Sequence, residues 1–417
     1  MVTAEATAAG ASAAASARIA EDVSQWTLMR WRFARNRLSL FGLVVLVVLY
    51  SLALIAPFLA PYDYNDISTD FIHVSPTPLR VIDGKLSVCP LFQEMRDFQW
   101  LYEEDCDRAV PIEWMVTGKR YTILGFPFET HLFGVTRVPP PPDPAKLSAR
   151  ATAKKEAPTK VDDPLAAFKV DAPTGTGTEA MFNAEAPRVF LFGSDVQGRD
   201  LFSRVLEGSR ISLTIGLVGV ALSVVFGAVL GTASGYLGGL IDDLVQRFIE
   251  IIQSMPTLPL WAAIAAALPP TMPVPQRYLL ITIILSFVSW TGLARQVRGK
   301  VMAYATLDYI AAARLAGCSH MRIILTHMLP NASSHIIVVS TLAVPGSILG
   351  ETALSFLGLG MLPPAVSWGV LLRDAQQIQS VILHPWMLIP AVPIIVTVTC
   401  FQFLGDGLRD AADPYSS

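Results

Sequence analysis

The sequence predicts an all-α polytopic membrane protein: six transmembrane helices, with a mixed extracytoplasmic insertion between the first and the second. Three observations predict it. Hydrophobic residues make up 52% of the 417 and charged residues 16%, with a mean hydropathy of +0.48. Soluble chains carry about 25% charged residues, so this one has too few to coat a water-facing surface. Charge-free stretches recur at spanning length, and lysine and arginine are shared unequally among the segments between them. A net charge of −3 makes no field that would gather nucleic acid, so none is expected as a partner. Four cysteines without a CxxC or Cys/His cluster exclude a disulfide scaffold and point to no metal site.

A helix needs roughly 20 apolar residues to cross the hydrocarbon. Uncharged windows of 25, 31, 26 and 17 residues follow Arg37, Arg210, Glu250 and Arg277. Windows of 28, 21 and 31 residues follow Arg322, Glu351 and Asp374. The stretch from Thr352 to Leu372 is interrupted by Gly358, Gly360, Pro363, Pro364 and Gly369. It reads as two short pieces at a membrane face, partly re-entrant. Six spans remain. With the N-terminus inside, the inner segments hold twelve Lys/Arg and the outer ones two, Arg277 and Arg373. Both termini are therefore assigned to the cytoplasm.

Residues 1–37 form the cytoplasmic tail, whose first 20 are mostly Ala, Ser and Thr and build no core. Residues 38–60 are the first span. The alternative is a cleaved signal peptide ending at Ser51-Leu52-Ala53, but apolar sequence runs on to Ala60, beyond what such a peptide needs. Residues 61–138 are the insertion, with Phe92, Phe98, Trp100, Tyr102, Trp114, Tyr121, Phe126, Phe128 and Phe133 to build a small core. Val116–Leu124 resembles a β-hairpin turning at Gly118-Lys119. Cys89 and Cys106 fall in this part, where an oxidising compartment permits a bridge; two buried free thiols are the alternative. From four consecutive prolines onward, residues 139–190 are rich in Pro and Ala and read as a flexible tether.

Residues 191–413 hold the remaining five spans. Gly227, Gly231 and Gly235 stand four apart on one helix face, fit for close helix packing or for a substrate contact. Pro256, Pro259, Pro345, Pro390 and Pro393 would kink or break helices. No span carries an acid or base near its middle, as ion-coupled carriers usually require. No GxSxG, HExxH or phosphate-loop pattern occurs, so ATP hydrolysis and other catalysis are not expected of this chain.

The loop at residues 295–330 carries the strongest signal. Asp308 to Ala316 reads as a short helix with small residues at Ala311, Ala312 and Ala313, followed by Arg314 and stopped by Gly317. Small residues let another protein reach the helix backbone; a surface helix at the lipid interface is the alternative. The segment resembles the cytoplasmic coupling loop of ATP-binding-cassette importer permeases: Glu-Ala-Ala, three residues, Gly, nine residues, then Ile-x-Leu-Pro. Ala312, Ala313, Gly317, Leu329 and Pro330 match in register, while Ala311 replaces the Glu and His327 the Ile. The ending His327-Met328-Leu329-Pro330-Asn331 is similar to the dipeptide, oligopeptide and nickel branch (C-type permeases). So are Phe192–Arg204, with its Gly-Ser-Asp-x-x-Gly-Arg-Asp run, and Gly350–Gly360. The insertion resembles that of longer members with a scoop-like extracytoplasmic domain.

The resemblance implies the type I importer permease fold in a bacterial inner membrane. It implies as partners a second homologous permease, two ATPase subunits, an external substrate-binding protein and membrane lipid. ATP and Mg would be used by the partner ATPases, with no cofactor bound by this chain. Ala311, Ala312, Ala313, Arg314, Gly317, His327, Leu329 and Pro330 would couple to the ATPase. Glu351, Phe356 and Gly358 would form a gate or meet the binding protein. Peptides are the expected cargo, with oligosaccharides, opines or nickel as alternatives. An ion-coupled carrier and a ligand-binding scaffold are the competing classes.

Overall fold

The computed structural model describes residues 25–96, 99–137 and 188–412. The tail up to residue 24, most of the expected tether, and Phe98 lie outside them. The chain divides into two units: residues 1–54, 208–373 and 388–417 form a helical unit, residues 55–207 and 374–387 an insertion unit. The second therefore reaches beyond 61–138, taking in chain on both sides of the helical unit's sequence.

In chain order come α1 (Gln25–Arg35), α2 (Arg37–Leu54) and α3 (Ala56–Leu59). Seven strands follow: β1 (Arg80–Ile82), β2 (Lys85–Val88), β3 (Leu91–Arg96), β4 (Gln99–Glu104), β5 (Val110–Pro111), β6 (Glu113–Ile123) and β7 (Phe126–Gly134). Then come α4 (Leu201–Leu237), α5 (Gly239–Gln253), α6 (Thr257–Ala266), α7 (Val274–Ala305) and α8 (Asp308–Leu315). The chain ends with α9 (His320–Ile323), α10 (Leu329–Phe356), α11 (Trp368–Arg373), α12 (Ile378–Leu383) and α13 (Ala391–Ala412).

Among the described residues, five helical stretches are long and apolar enough to cross a membrane: Arg37–Leu54, Leu201–Leu237, Val274–Ala305, His320–Phe356 and Pro385–Ala412. A sixth candidate is α5 and α6 taken together, bent by 81° at the break between them. The break has a local cause. Ser254 N–H still closes on the Glu250 carbonyl, but Pro256 has no N–H to continue the ladder and instead precedes the first residue of α6. Within 352–372, the first expected short piece is the last turn of α10 and the second is α11; a cis Pro363-Pro364 bond lies between them.

Close backbone approach packs the helical unit. A Cβ on Gly227 would stand 2.7 Å from Leu293 Cδ2, one on Gly231 would fall on the Ala294 carbonyl, and one on Gly235 would stand 2.7 Å from the Arg298 oxygen. The contacts advance together along both helices, so α4 and α7 run side by side in the same direction. In lipid, where apolar burial does not drive helix association, such van der Waals contact is the main attraction. Gly42 meets the Cys400 carbonyl in the same way, seating α2 on α13.

The insertion unit holds three small antiparallel sheets, ordered β1-β2-β5, β3-β4 and β6-β7. The expected hairpin at Gly118-Lys119 is corrected: β6 runs through that point, and the turn is Leu124-Gly125. Both turn residues have positive φ (+51° and +88°), the geometry whose twist matches paired strands. Gly118 instead sits in a register shift of the β6–β7 ladder, where a Cβ would collide with the His131 ring. Val88, Ile112, Phe133 and Val189 form one core, and Phe71, Val74 and Phe190 a second. The chain after the tether thus returns to complete both.

Candidate functional site

The helix α8 is built to be short. Gly317 has φ +78°, a conformation costly for residues with a Cβ. Its N–H donates to the Arg314 carbonyl (3.0 Å), and the Cys318 N–H donates to the Ala313 carbonyl (3.1 Å). These two bonds satisfy carbonyls that the last turn would leave open. Ser319 then caps α9, its Oγ accepting from the Arg322 N–H.

One face of α8 holds it to the helical unit. Ile310 is fully buried in a core with Tyr236, Val301, Ile323 and Met328, and Ala313 packs against it. The opposite face is open: Ala311, Ala312 and Leu315 are exposed, Leu315 by 89%. Nothing lies within 4 Å of the place a Gly317 Cβ would occupy. Tyr236, at the end of α4, orients the turn. The Arg314 guanidinium lies 4.9 Å from its ring centre, and both Arg314 Nε and His320 Nδ1 stand 3.3 Å from its hydroxyl. Asn331 Nδ2 donates to the Tyr309 hydroxyl (3.1 Å) and to the His327 carbonyl (2.7 Å), tying the start of α8 to the start of α10. Leu329 is half-buried, and Pro330 directly follows the π-helical turn Ile324–Met328 within the continuous helical stretch His320–Phe356, where the wider turn absorbs its missing N–H.

The expected residues therefore separate. Ala311, Ala312 and Gly317 face outward, Ala313 and Leu329 pack against the core, and the His327 carbonyl accepts from Asn331. Sequence reasoning missed Leu315 and Tyr236. Leu315 is three residues from Ala312 and so shares its face, a signal present in the helical spacing. Tyr236 carried no such signal, because its partners are 78 and 84 residues away.

The second expected site is mostly enclosed. Glu351 in α10 is fully buried, accepting from Ser212 Oγ (3.2 Å) and Ser355 Oγ (2.6 Å). The Glu351 side chain is thus enclosed by polar groups of this chain. Arg277 in α7 is also buried and donates to the Gly360 and Pro269 carbonyls (2.8 and 3.3 Å). Both charged groups lie within a turn or two of helix ends and are held by polar partners, as buried charges must be. Phe356 is exposed at the end of α10, and Gly358 turns the chain with φ +76° beside the Arg373 guanidinium.

The Phe192–Arg204 run makes a cradle inside the insertion unit. Asp195 accepts from the backbone N–H of Gln197 (2.8 Å) and Arg199 (3.0 Å), from Arg199 Nε (2.7 Å), and from Arg204. Asp200 caps α4 by accepting from Ser203 N–H (2.8 Å) and Oγ (2.6 Å). Burial pushes the Asp200 carboxyl up to about 6, against the pull of those bonds. Gly198, φ +71°, leaves no room for a Cβ beneath the Ser68 carbonyl. Next to this cradle, the rings of His73 and His384 stack 4.0 Å apart, and Trp386 Nε1 donates to the Ser194 carbonyl (3.1 Å). Burial, then the neighbouring His73, depresses His384 to about 4. Cys89 and Cys106 form a disulfide; Glu104 lies beside it, but bridged sulfurs are not thiolate ligands.

Two family models match the chain: binding-protein-dependent transport system inner membrane component over residues 223–415, and the N-terminal transmembrane domain of oligopeptide transport permease C over residues 24–76. The oligopeptide transport system permease protein OppC of Haemophilus influenzae is 43% identical over 224 residues, 54% of this chain and 70% of that protein. The dipeptide transport system permease protein DppC of Lactococcus lactis is 40% identical over 229 residues, 55% of this chain and 64% of that one. OppC of Escherichia coli K12 is 42% identical over 224 residues, 54% of this chain and 72% of its own length. The first of the two family models begins within α4 and runs through α13, taking in the α8 turn, and the chain belongs to the family of binding-protein-dependent transport system inner membrane components.

Proposed function

We propose that the chain is one of two non-identical permease subunits of a peptide importer, and that α8 transmits the motion of a separate ATPase. The observation that carries this reading is the open face of α8: Ala311, Ala312 and Leu315 exposed on a helix whose other face is locked by Ile310 and Tyr236. A docked helix of this kind moves only if the core behind it moves, so a push from outside passes into α4, α7 and α10. Arg314, His327, Leu329 and Pro330 keep the helix in register with those spans. Peptide as cargo is supported by the relatives, which are oligopeptide and dipeptide transport permeases. The Lys/Arg asymmetry supports a cytoplasmic location for α8 and both termini, in a bacterial inner membrane.

In this reading ATP and Mg belong to two ATPase subunits, and a substrate-binding protein delivers cargo outside. Closure of the ATPases draws α8 and its counterpart together, and the two permeases exchange inward for outward access. Gly227, Gly231 and Gly235 keep α4 and α7 moving as one body. Phe356 and the turn at Gly358 serve as the outer gate or the contact with the binding protein. The test is reconstitution of this chain with its partner permease and ATPases in vesicles. Labelled peptide should accumulate with ATP and binding protein present. ATP-dependent uptake of nickel or an oligosaccharide instead of peptide would overturn the cargo, and an ion gradient replacing ATP would overturn the class.

A further inference from the structure

A cavity of about 720 Å³ opens within the helical unit at the end that carries α8. Its wall is basic: Lys300 from α7, Arg409 from α13, Arg32 from α1 and His335 from α10, with no acidic residue lining it among the described residues. Lys300 and Arg409 are exposed and have no ion pair among the described residues. The floor is apolar, formed by Met29, Val338 and Ala411, all buried. Ser334 and the Tyr309–Asn331 pair add hydroxyl and amide groups at the wall.

We propose that this cavity binds the phosphate of an anionic phospholipid. Two cations without carboxylate partners, drawn together from helices distant in sequence, attract a diffuse anion, and charged hydrogen bonds to phosphate are among the strong ones. The apolar floor suits the glyceride end of the same molecule, which inorganic phosphate lacks. Basic pockets between membrane helices recognise lipid headgroups on this principle. Tyr309 lies in α8, so an occupied cavity would brace the open helix from behind. The proposal rests on the reading that this end of the unit faces the cytoplasmic leaflet.

The test is lipid retention by the full chain, purified with its partner subunits in mild detergent and examined by native mass spectrometry. Phosphatidylglycerol should be retained at least tenfold over phosphatidylcholine. Lys300→Gln with Arg409→Gln should remove the preference, Lys300→Arg should keep it, and Arg295→Gln, an exposed residue outside the cavity, should leave it unchanged. Equal retention of the two lipids, or equal loss with Arg295→Gln, would overturn the proposal. Displacement by millimolar inorganic phosphate would assign the site to a soluble anion and overturn the lipid. Retention is read without transport, and a reporter fused after residue 310 reads the orientation separately, so failure of the importer reading is distinguishable.

Discussion

Two stretches of small residues in the helical unit do opposite things. Gly227, Gly231 and Gly235 on α4 are filled by α7, whose backbone leaves no space for a Cβ. Ala311, Ala312 and Gly317 in and after α8 are open, with Gly317 facing empty space. Small residues mark close approach in both places. The difference is whether the approaching backbone belongs to this chain. A filled face holds the helical unit together, and the open one, held from behind by Ile310 and Tyr236, is proposed to receive a partner.

Enlarging the filled face should have the largest effect. Gly231→Leu would drive a side chain into the Ala294 backbone; overpacking costs about 1–3 kcal/mol, more when backbone must shift. The expected outcome is little folded protein in membranes, read by fluorescence-detected size exclusion. A well-folded Gly231→Leu chain would show that α4 and α7 separate freely.

The insertion unit supplies the contrast of a covalent tie. Reducing Cys89–Cys106, 17 residues apart, should cost that unit about 3 kcal/mol in the chain-entropy description. Hydrogen exchange of the β2–β5 segment, with and without reductant, checks it. Unchanged protection would mean that the ion pairs and small sheets suffice.

On the open face the expected cost falls. Gly317→Val must place a branched residue at φ +78°, for about 1–2 kcal/mol of local strain. The chain should still insert, since no span changes, while ATP-driven uptake falls. Normal uptake by Gly317→Val at wild-type levels would reduce the turn to connecting chain.

The smallest effect is on pH. His384 is held neutral, its pKa depressed to about 4 from 6.5. The unfolded chain takes up the proton more readily, so the stability this ring contributes is complete above about 6.5 and is lost as the pH falls towards 4. Exchange at residues 73–74 and 194–195 should quicken over that window. His384→Gln should flatten the dependence.

The spans were legible because charge is expensive in hydrocarbon, so the gaps between charged residues mark helices directly. The bent span was only half legible: Pro256 announced a break, but not that the 10-residue α6 would follow it at 81°. The hairpin turn was misplaced because Gly118-Lys119 looks like a turn pair, whereas Leu124-Gly125 takes positive φ at a leucine that no turn preference selects. The Tyr236 contacts were illegible for a different reason: their partners Arg314 and His320 are 78 and 84 residues away, and residue type alone does not say which side chains meet. The Asp195 cradle is local, its partners standing at 197, 199 and 204, but nothing in its spacing says that one carboxylate gathers them all.

The central claim is that the open face of α8 docks on an ATPase. A photo-activatable residue at Ala312, in the assembled complex, tests it most directly, with one at Val225, exposed on the α4 span, as the control. The account predicts an ATPase adduct from position 312 and none from position 225. A complex that still transports but yields no ATPase adduct from position 312 would contradict it.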